Sequence, residues 1–163
     1  MKALQLLFKT NSSSGPLVAR LALGLVMFPH GAQKMLGWFG GHGFTGTMGF
    51  FTGMMHIPAA FAFLAILAEF AGSLGLITGL LGRVAALGIA SVMTVAIVTV
   101  HSANGFFMNW MGNQKGEGFE YHLLAIGLAL VVMIQGAGKA SLDGLIAKYF
   151  EDNADETLTQ DWK

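Results

Sequence analysis

The chain has 163 residues, 54% of them hydrophobic and only 11% charged, with a mean hydropathy of +0.62. A soluble domain carries about 25% charged residues, so this composition argues against a soluble globular enzyme. Nine basic residues balance nine acidic ones, which removes a basic nucleic-acid binder; the absence of cysteine removes thiolate nucleophiles, disulfide exchange, Fe–S ligation and covalent c-type haem.

Charge is absent from Met35 to Ala68, from Val84 to Gln114 and from Tyr121 to Gly138, a membrane pattern. In chain order, residues 1–15 form a cytoplasmic interfacial segment, since their apolar run is short and broken by Lys9, unlike a secretory signal. Spans follow at about 16–38, 58–81, 83–103 and 119–138, each near the roughly 20 residues that cross a ~30 Å hydrocarbon core. Between the first two, Phe44, Met48, Phe51 and Met55 recur at helical spacing and predict a short helix lying on the membrane. The expected fold is all-α, a four-transmembrane-helix bundle over residues 16–150 with that interfacial helix in its first outer loop. Residues 151–163 form an acidic cytoplasmic tail. Backbone groups in lipid must bond within helices, which is why a bundle is expected.

Lys2, Lys9, Arg20, Arg83, Lys139 and Lys148 gather on one side, while the two opposite loops carry only Lys115. The positive-inside rule then gives a multi-pass bacterial inner-membrane protein with both termini cytoplasmic. Trp38, Trp110 and Tyr121 fall at the outer boundary, where aromatic belts sit. His42, Met48, Met54, Met55 and His56 suggest copper, but methionine at helical spacing is first of all packing, and no metal site is expected.

A charge at the bilayer centre costs roughly 2.5–3.5 kcal/mol, so each needs a reason. Arg20, near the cytoplasmic edge, can snorkel, and Lys34 can do so at the outer edge. Glu69 has no such exit and must be protonated or paired. At 1.5 Å per residue, His30 and Glu69 come out at depths of roughly 21 and 18 Å; Lys34, His101 and Glu120 form a second layer near about 27 Å. On the third span Ser91, Thr94, Val98 and His101 share a face. Two residues apart, Glu120 and His122 point about 200° from each other; Glu120 is expected inside and His122 towards the headgroups. Pro29 cannot bond to the Leu25 carbonyl and predicts a kink before His30. The cluster either merely holds the bundle together, through bonds that average under about 1 kcal/mol in membranes, or lines a polar pocket open to the outer side.

Arg20, Gly24 and the run Pro29-His30-Gly31-Ala32-Gln33-Lys34 with Gly37 resemble the first-helix signature of the DoxX family of small bacterial membrane proteins. Glu69 with Gly72, His101, Glu120 and the close Gly136-Ala137-Gly138-Lys139-Ala140-Ser141-Leu142-Asp143 resemble its later helices, over roughly residues 15–150. A relative, DoxD, belongs to an archaeal thiosulfate:quinone oxidoreductase; nothing here argues for thiosulfate. The resemblance implies a subunit associated with a quinone-linked membrane oxidoreductase, with quinone bound or as substrate. His30, Lys34 and His101 would donate to it, Glu69 with His30 or Glu120 would relay protons, and Arg20 completes the expected set. The implied partners are the lipid bilayer, an oxidoreductase subunit and a second copy of the chain, without nucleic acid. The alternatives are a non-enzymatic assembly factor or small-molecule carrier, and b-type haem between His30 and His101, whose depths differ by roughly 6 Å.

Overall fold

The computed structural model describes residues 6–160, with side chains described as far as Asn153. Lys2, and the acidic side chains at Asp155 and Glu156, therefore lie outside the described residues. Helix α1 (Ser14–Leu36) starts after an extended Ser13 and ends at Gly37 in the left-handed region, the usual glycine stop. It runs through Pro29 without a break. The short helix α2 (Gly43–Gly49) follows, continued by a π turn over Phe50–Met54, where a surface helix was expected. Pro58 precedes α3 (Ala59–Thr78), which stops at a left-handed Gly79. Helix α4 (Gly82–Ala96) extends through a π turn at Ile97–His101 and a 3-10 turn at Ser102–Asn104. Helices α5 (Glu120–Gln135) and α6 (Leu142–Gln160) complete the chain, so the acidic tail is helical as far as Gln160.

Helix α1 packs on α3 and α5, and α4 packs on the same two, making a four-helix bundle around Leu23, Met27, Leu76, Ile89, Ala129 and Val132. Three helical stretches, Ser14–Leu36, Ala59–Thr78 and Gly82–Asn104, are long and apolar enough to cross a membrane. The 16 residues of α5 rise about 24 Å, short of a full hydrocarbon core. Large apolar side chains such as Val18, Leu25, Leu124 and Ile134 point outward, a surface suited to lipid and costly in water.

Small residues set the helix spacing. A Cβ at Gly31 would lie 2.6 Å from the Phe70 backbone and 2.7 Å from that of Glu69, so only glycine lets α1 reach α3 there. Gly24, Gly75, Gly79 and Gly82 likewise face Leu76 and Ile77, Leu80 and Ala85, Ser141, and Ala137 respectively. The small-residue stripe is consumed by packing within the chain.

The end of the bundle holding the α3–α4 hairpin is clamped by two buried charges. Arg20, 1% exposed, donates to five carbonyls: Leu76 at 2.8 Å, Ile77 at 2.7 Å, Ala137 at 2.8 Å, Lys139 at 3.2 Å and Ala140 at 2.7 Å. The expected snorkelling is thereby corrected: the planar five-donor fork suits a ring of carbonyls better than a charge reaching for water. Asp143, also 1% exposed, accepts from the first free N–H groups of α4, Leu81 at 2.7 Å and Gly82 at 2.8 Å. Burial pushes the Asp143 carboxyl upward, while those two bonds, Arg83 and Arg20 pull it back in part. Arg83 donates to Met133, to Ile134 at 3.1 Å and to the Lys9 carbonyl at 3.0 Å, so it closes the end of α5. Residues 9–13 run as a strap across this hairpin end, with Asn11 N–H donating to Gln135 at 2.9 Å and Lys139 N–H to Ser13 at 3.2 Å.

Candidate functional site

The other end, which carries the loops at 37–58 and 105–119, encloses a cavity of about 910 Å³. The small-residue contact of Gly88 with Ala68 is the last close approach of α3 and α4 that the glycines record. Beyond it both helices turn their residues to the cavity, Phe61 and Leu64 from α3, Ser91, Val95 and Thr99 from α4, and all five are exposed. The cavity thus opens through the side of the bundle, between two helices whose other faces are apolar. Phe50 and Phe51 from the π turn after α2, and Met55 just past it, also line the cavity.

Polar groups collect on the inner wall of this apolar slot. Glu69, 4% exposed, accepts from Lys34 Nζ at 2.5 Å. Pairing offsets the cost of stripping water from the carboxylate. Glu69 therefore has the donor it required, but the donor is Lys34. The expected partner, His30, lines the same cavity and lies beside Tyr121, ring centroids 6.5 Å apart. Gly31 lies against the Glu69 backbone, so Lys34, three residues on, is about 4.5 Å further along α1. Its stem reaches inward to the carboxylate, the opposite of snorkelling.

His101 lines the cavity, with Nδ1 2.8 Å from the Glu117 carbonyl oxygen. Its ring lies 4.1 Å from that of His122. Here the expectation for the fourth helix is reversed. His122 is 6% exposed and faces the cavity, whereas Glu120 accepts from Met108 N–H at 3.0 Å and Trp110 Nε1 at 3.3 Å. The loop at 105–119 folds back and claims the Glu120 carboxylate for its own donors, leaving the histidine side of α5 to the interior. Tyr121 also turns inward, its hydroxyl donating to Met27 Sδ at 3.3 Å, so it is no part of an aromatic belt. Trp38 and Trp110 remain exposed.

Of the expected site residues, His30, Lys34, Glu69 and His101 come together around one cavity. Arg20 stands in the clamp at the hairpin end, and Glu120 braces a loop. Tyr121 and His122 join the set without having been expected. The face Ser91, Thr94, Val98, His101 is also redrawn, because the π turn at 97–101 inserts a residue and brings Thr99 to the cavity while Val98 is 71% exposed. Rings run in series from His30 to Tyr121 to His122 to His101, at 6.5, 5.6 and 4.1 Å. Tyr121 and His122 therefore stand between the two histidines considered for haem. Among the described residues no group of three or more His, Asp or Glu is arranged to hold a metal ion. The methionines divide, Met54 being 74% exposed and Met55 lining the cavity.

Chemically, the inner wall offers donors (Lys34, His30), an acceptor and proton carrier (Glu69), and imidazoles able to do either. An apolar slot with a few convergent polar groups is the usual form of a small-molecule site.

The family model described as DoxX matches residues 15–102, more than half of the chain. A Haemophilus influenzae protein described as uncharacterized is 35% identical over 75 residues, 46% of this chain and 46% of that protein. The chain thus spans about half the length of the curated relative it matches. No solved structure matches the chain.

Proposed function

The chain belongs to the DoxX family of membrane proteins, and we propose that it is the quinone-binding membrane subunit of an oxidoreductase. One observation carries this reading: an apolar slot of about 910 Å³, open between α3 and α4, leads to the half-buried Lys34, its buried partner Glu69 and the histidines beside them. A lipid-borne ring with an apolar tail has the complementary form. Its tail lies along Phe61, Leu64 and Val95, and its head meets Lys34 and His30. Reduction of a quinone takes up two electrons and two protons. The electrons are assigned to a redox centre on a partner subunit, the first proton to the Glu69–Lys34 pair, within reach of a bound carbonyl oxygen, and the second to water, which also restores the proton given up by the pair.

The charge pattern supports an orientation. Lys9, Arg83, Lys139 and Lys148 lie towards the hairpin end and only Lys115 in the loops opposite, a bias that favours an inner-membrane protein with both termini cytoplasmic. The cavity then belongs to the outer half of the bilayer. A thiol at Thr45→Cys reacts with an impermeant reagent in intact cells and one at Asn153→Cys does not; the reverse pattern overturns this orientation.

The decisive experiment uses the full chain in lipid nanodiscs and a decyl-tailed 1,4-benzoquinone. Saturable binding is expected, weakened about 10- to 100-fold in Lys34→Met, the loss of one charge-assisted hydrogen bond to a quinone oxygen. Absence of saturable binding, or equal affinity in the variant, refutes the reading. Saturable uptake of a small organic solute into proteoliposomes, with no partner present, would favour the carrier alternative.

A further inference from the structure

The polar wall of the cavity has two parts. One is the Lys34–Glu69 pair with His30. The other, past the ring of Tyr121, is the adjoining pair of His101 and His122, their rings tilted by 44°.

The protonation of that second pair follows from its surroundings. His101 Nδ1 is 2.8 Å from the carbonyl oxygen of Glu117. A carbonyl only accepts, so the proton sits on Nδ1, and neutral His101 keeps Nε2 as a bare acceptor. His122 is 6% exposed, and its Nδ1 is buried with no partner. A buried N–H without an acceptor is the rarer and costlier orphan, so the proton of neutral His122 belongs on Nε2, making that nitrogen a donor. The rings adjoin at a 44° tilt with centroids 4.1 Å apart, and the one hydrogen bond either ring makes among the described residues is that of His101 Nδ1 to Glu117, so neither Nε2 satisfies the other. The pair presents one donor and one acceptor to the cavity that both residues line. The first part of the wall has the same balance, with Lys34 and His30 as donors and Glu69 as acceptor.

We infer that His122, with His101, is a second pole of the site, binding the far oxygen of a flat ring that carries two oxygens at opposite ends. A pole with both a donor and an acceptor serves a carbonyl, which needs a donor, and a hydroxyl, which needs an acceptor as well. Two such poles suit a head that alternates between quinone and hydroquinone without reorientation. This rests on the binding reading above and adds to it the second point of attachment and the residues that make it.

Two measurements test it on the full chain in nanodiscs. The first needs no ligand: ¹⁵N correlations of the histidine rings, assigned by single substitutions among the five histidines, report the tautomers. His101 is expected as the Nδ1–H form and His122 as the Nε2–H form; either assignment reversed overturns the proposal. The second compares decyl-1,4-hydroquinone with decylphenol, which has one oxygen fewer. The native protein is expected to bind the two-oxygen ring about tenfold more tightly, the worth of one added hydrogen bond. His122→Phe should reduce it to the affinity of the phenol while leaving the phenol within about twofold, and His122→Gln, which restores an N–H, should recover part of the loss. Equal preference in His122→Phe, or an equal fall for both probes, overturns the second pole while leaving the first binding site standing. If neither probe binds the native chain, the binding reading itself fails and the second pole with it.

Discussion

Replacing Arg20 by methionine removes the fork that joins α1 to the end of α3 and to the turn before α6. Methionine fills similar volume, so the loss is chiefly of hydrogen bonds. Two of the five carbonyls, Leu76 and Ala137, accept in fully buried bonds and would be left with no partner. At about 1–3 kcal/mol for each orphaned group, the cost is roughly 2–6 kcal/mol, with about 4 kcal/mol as the working value. For a chain of this size about 2–4 °C is lost per kcal/mol, so the midpoint of thermal unfolding in mild detergent should fall by roughly 8–16 °C. Arg20→Lys keeps the charge but supplies a point donor in place of a planar fork, and should fall between the two. Quinone affinity, extrapolated to the temperature at which the variant is folded, should be unchanged. A midpoint within about 2 °C of the native one, or a folded Arg20→Met protein that no longer binds, would refute the reasoning and return Arg20 to the ligand site.

Other outcomes follow from the same geometry. Gly31→Ala forces α1 from the backbone of Glu69 and Phe70 and should cost about 1–3 kcal/mol, whereas Gly127→Ala, with nothing within 4 Å, should be neutral or stabilise by up to about 1 kcal/mol; similar midpoints for the two would contradict the packing. Lys34→Met strands a carboxylate that is 4% exposed and should destabilise more than the double variant Lys34→Met/Glu69→Gln, because an unpaired buried charge costs more than a neutral pair; the opposite order in a denaturation series would sink the ion-pair assignment. Asp143 is pushed up by burial, so its contribution to stability is full below the unfolded carboxylate value near about 4 and declines as pH rises through the folded one. Asp143→Asn should remove that decline from a thermal pH series; an unaltered series would show that other groups set it.

Much of the architecture was legible in the sequence because apolar length is a blunt and sufficient signal. Spans read at about 16–38 and 83–103 correspond to Ser14–Leu36 and Gly82–Asn104. The need for a partner at Glu69 was legible too, since a mid-span carboxylate cannot remain alone. Its identity was not, because depths counted from assumed span ends miss the register of the helices: Gly31 lies against the Glu69 backbone, which brings Lys34 within one turn of the carboxylate. The clamp at Arg20 draws its carbonyls from two distant segments of the chain, 76–77 and 137–140, which no local spacing reveals. The opposition of Glu120 and His122 followed from helical geometry. Which of them turned inward was decided by Met108 and Trp110, donors on a loop without periodicity. The face of α4 shifted because one π turn breaks the 3.6-residue count partway along the cavity wall.

Where the quinone sits in the bundle is open to direct measurement. A tailed azido-quinone, photolysed with the native protein in nanodiscs and mapped by peptide sequencing, should label residues around Met27–Lys34, Ser91–His101 and Tyr121–His122. An excess of unmodified quinone should suppress that labelling. Labelling confined to the hairpin end near Arg20 and Ser141, or spread over outward-facing residues and indifferent to competitor, would contradict a site in this cavity.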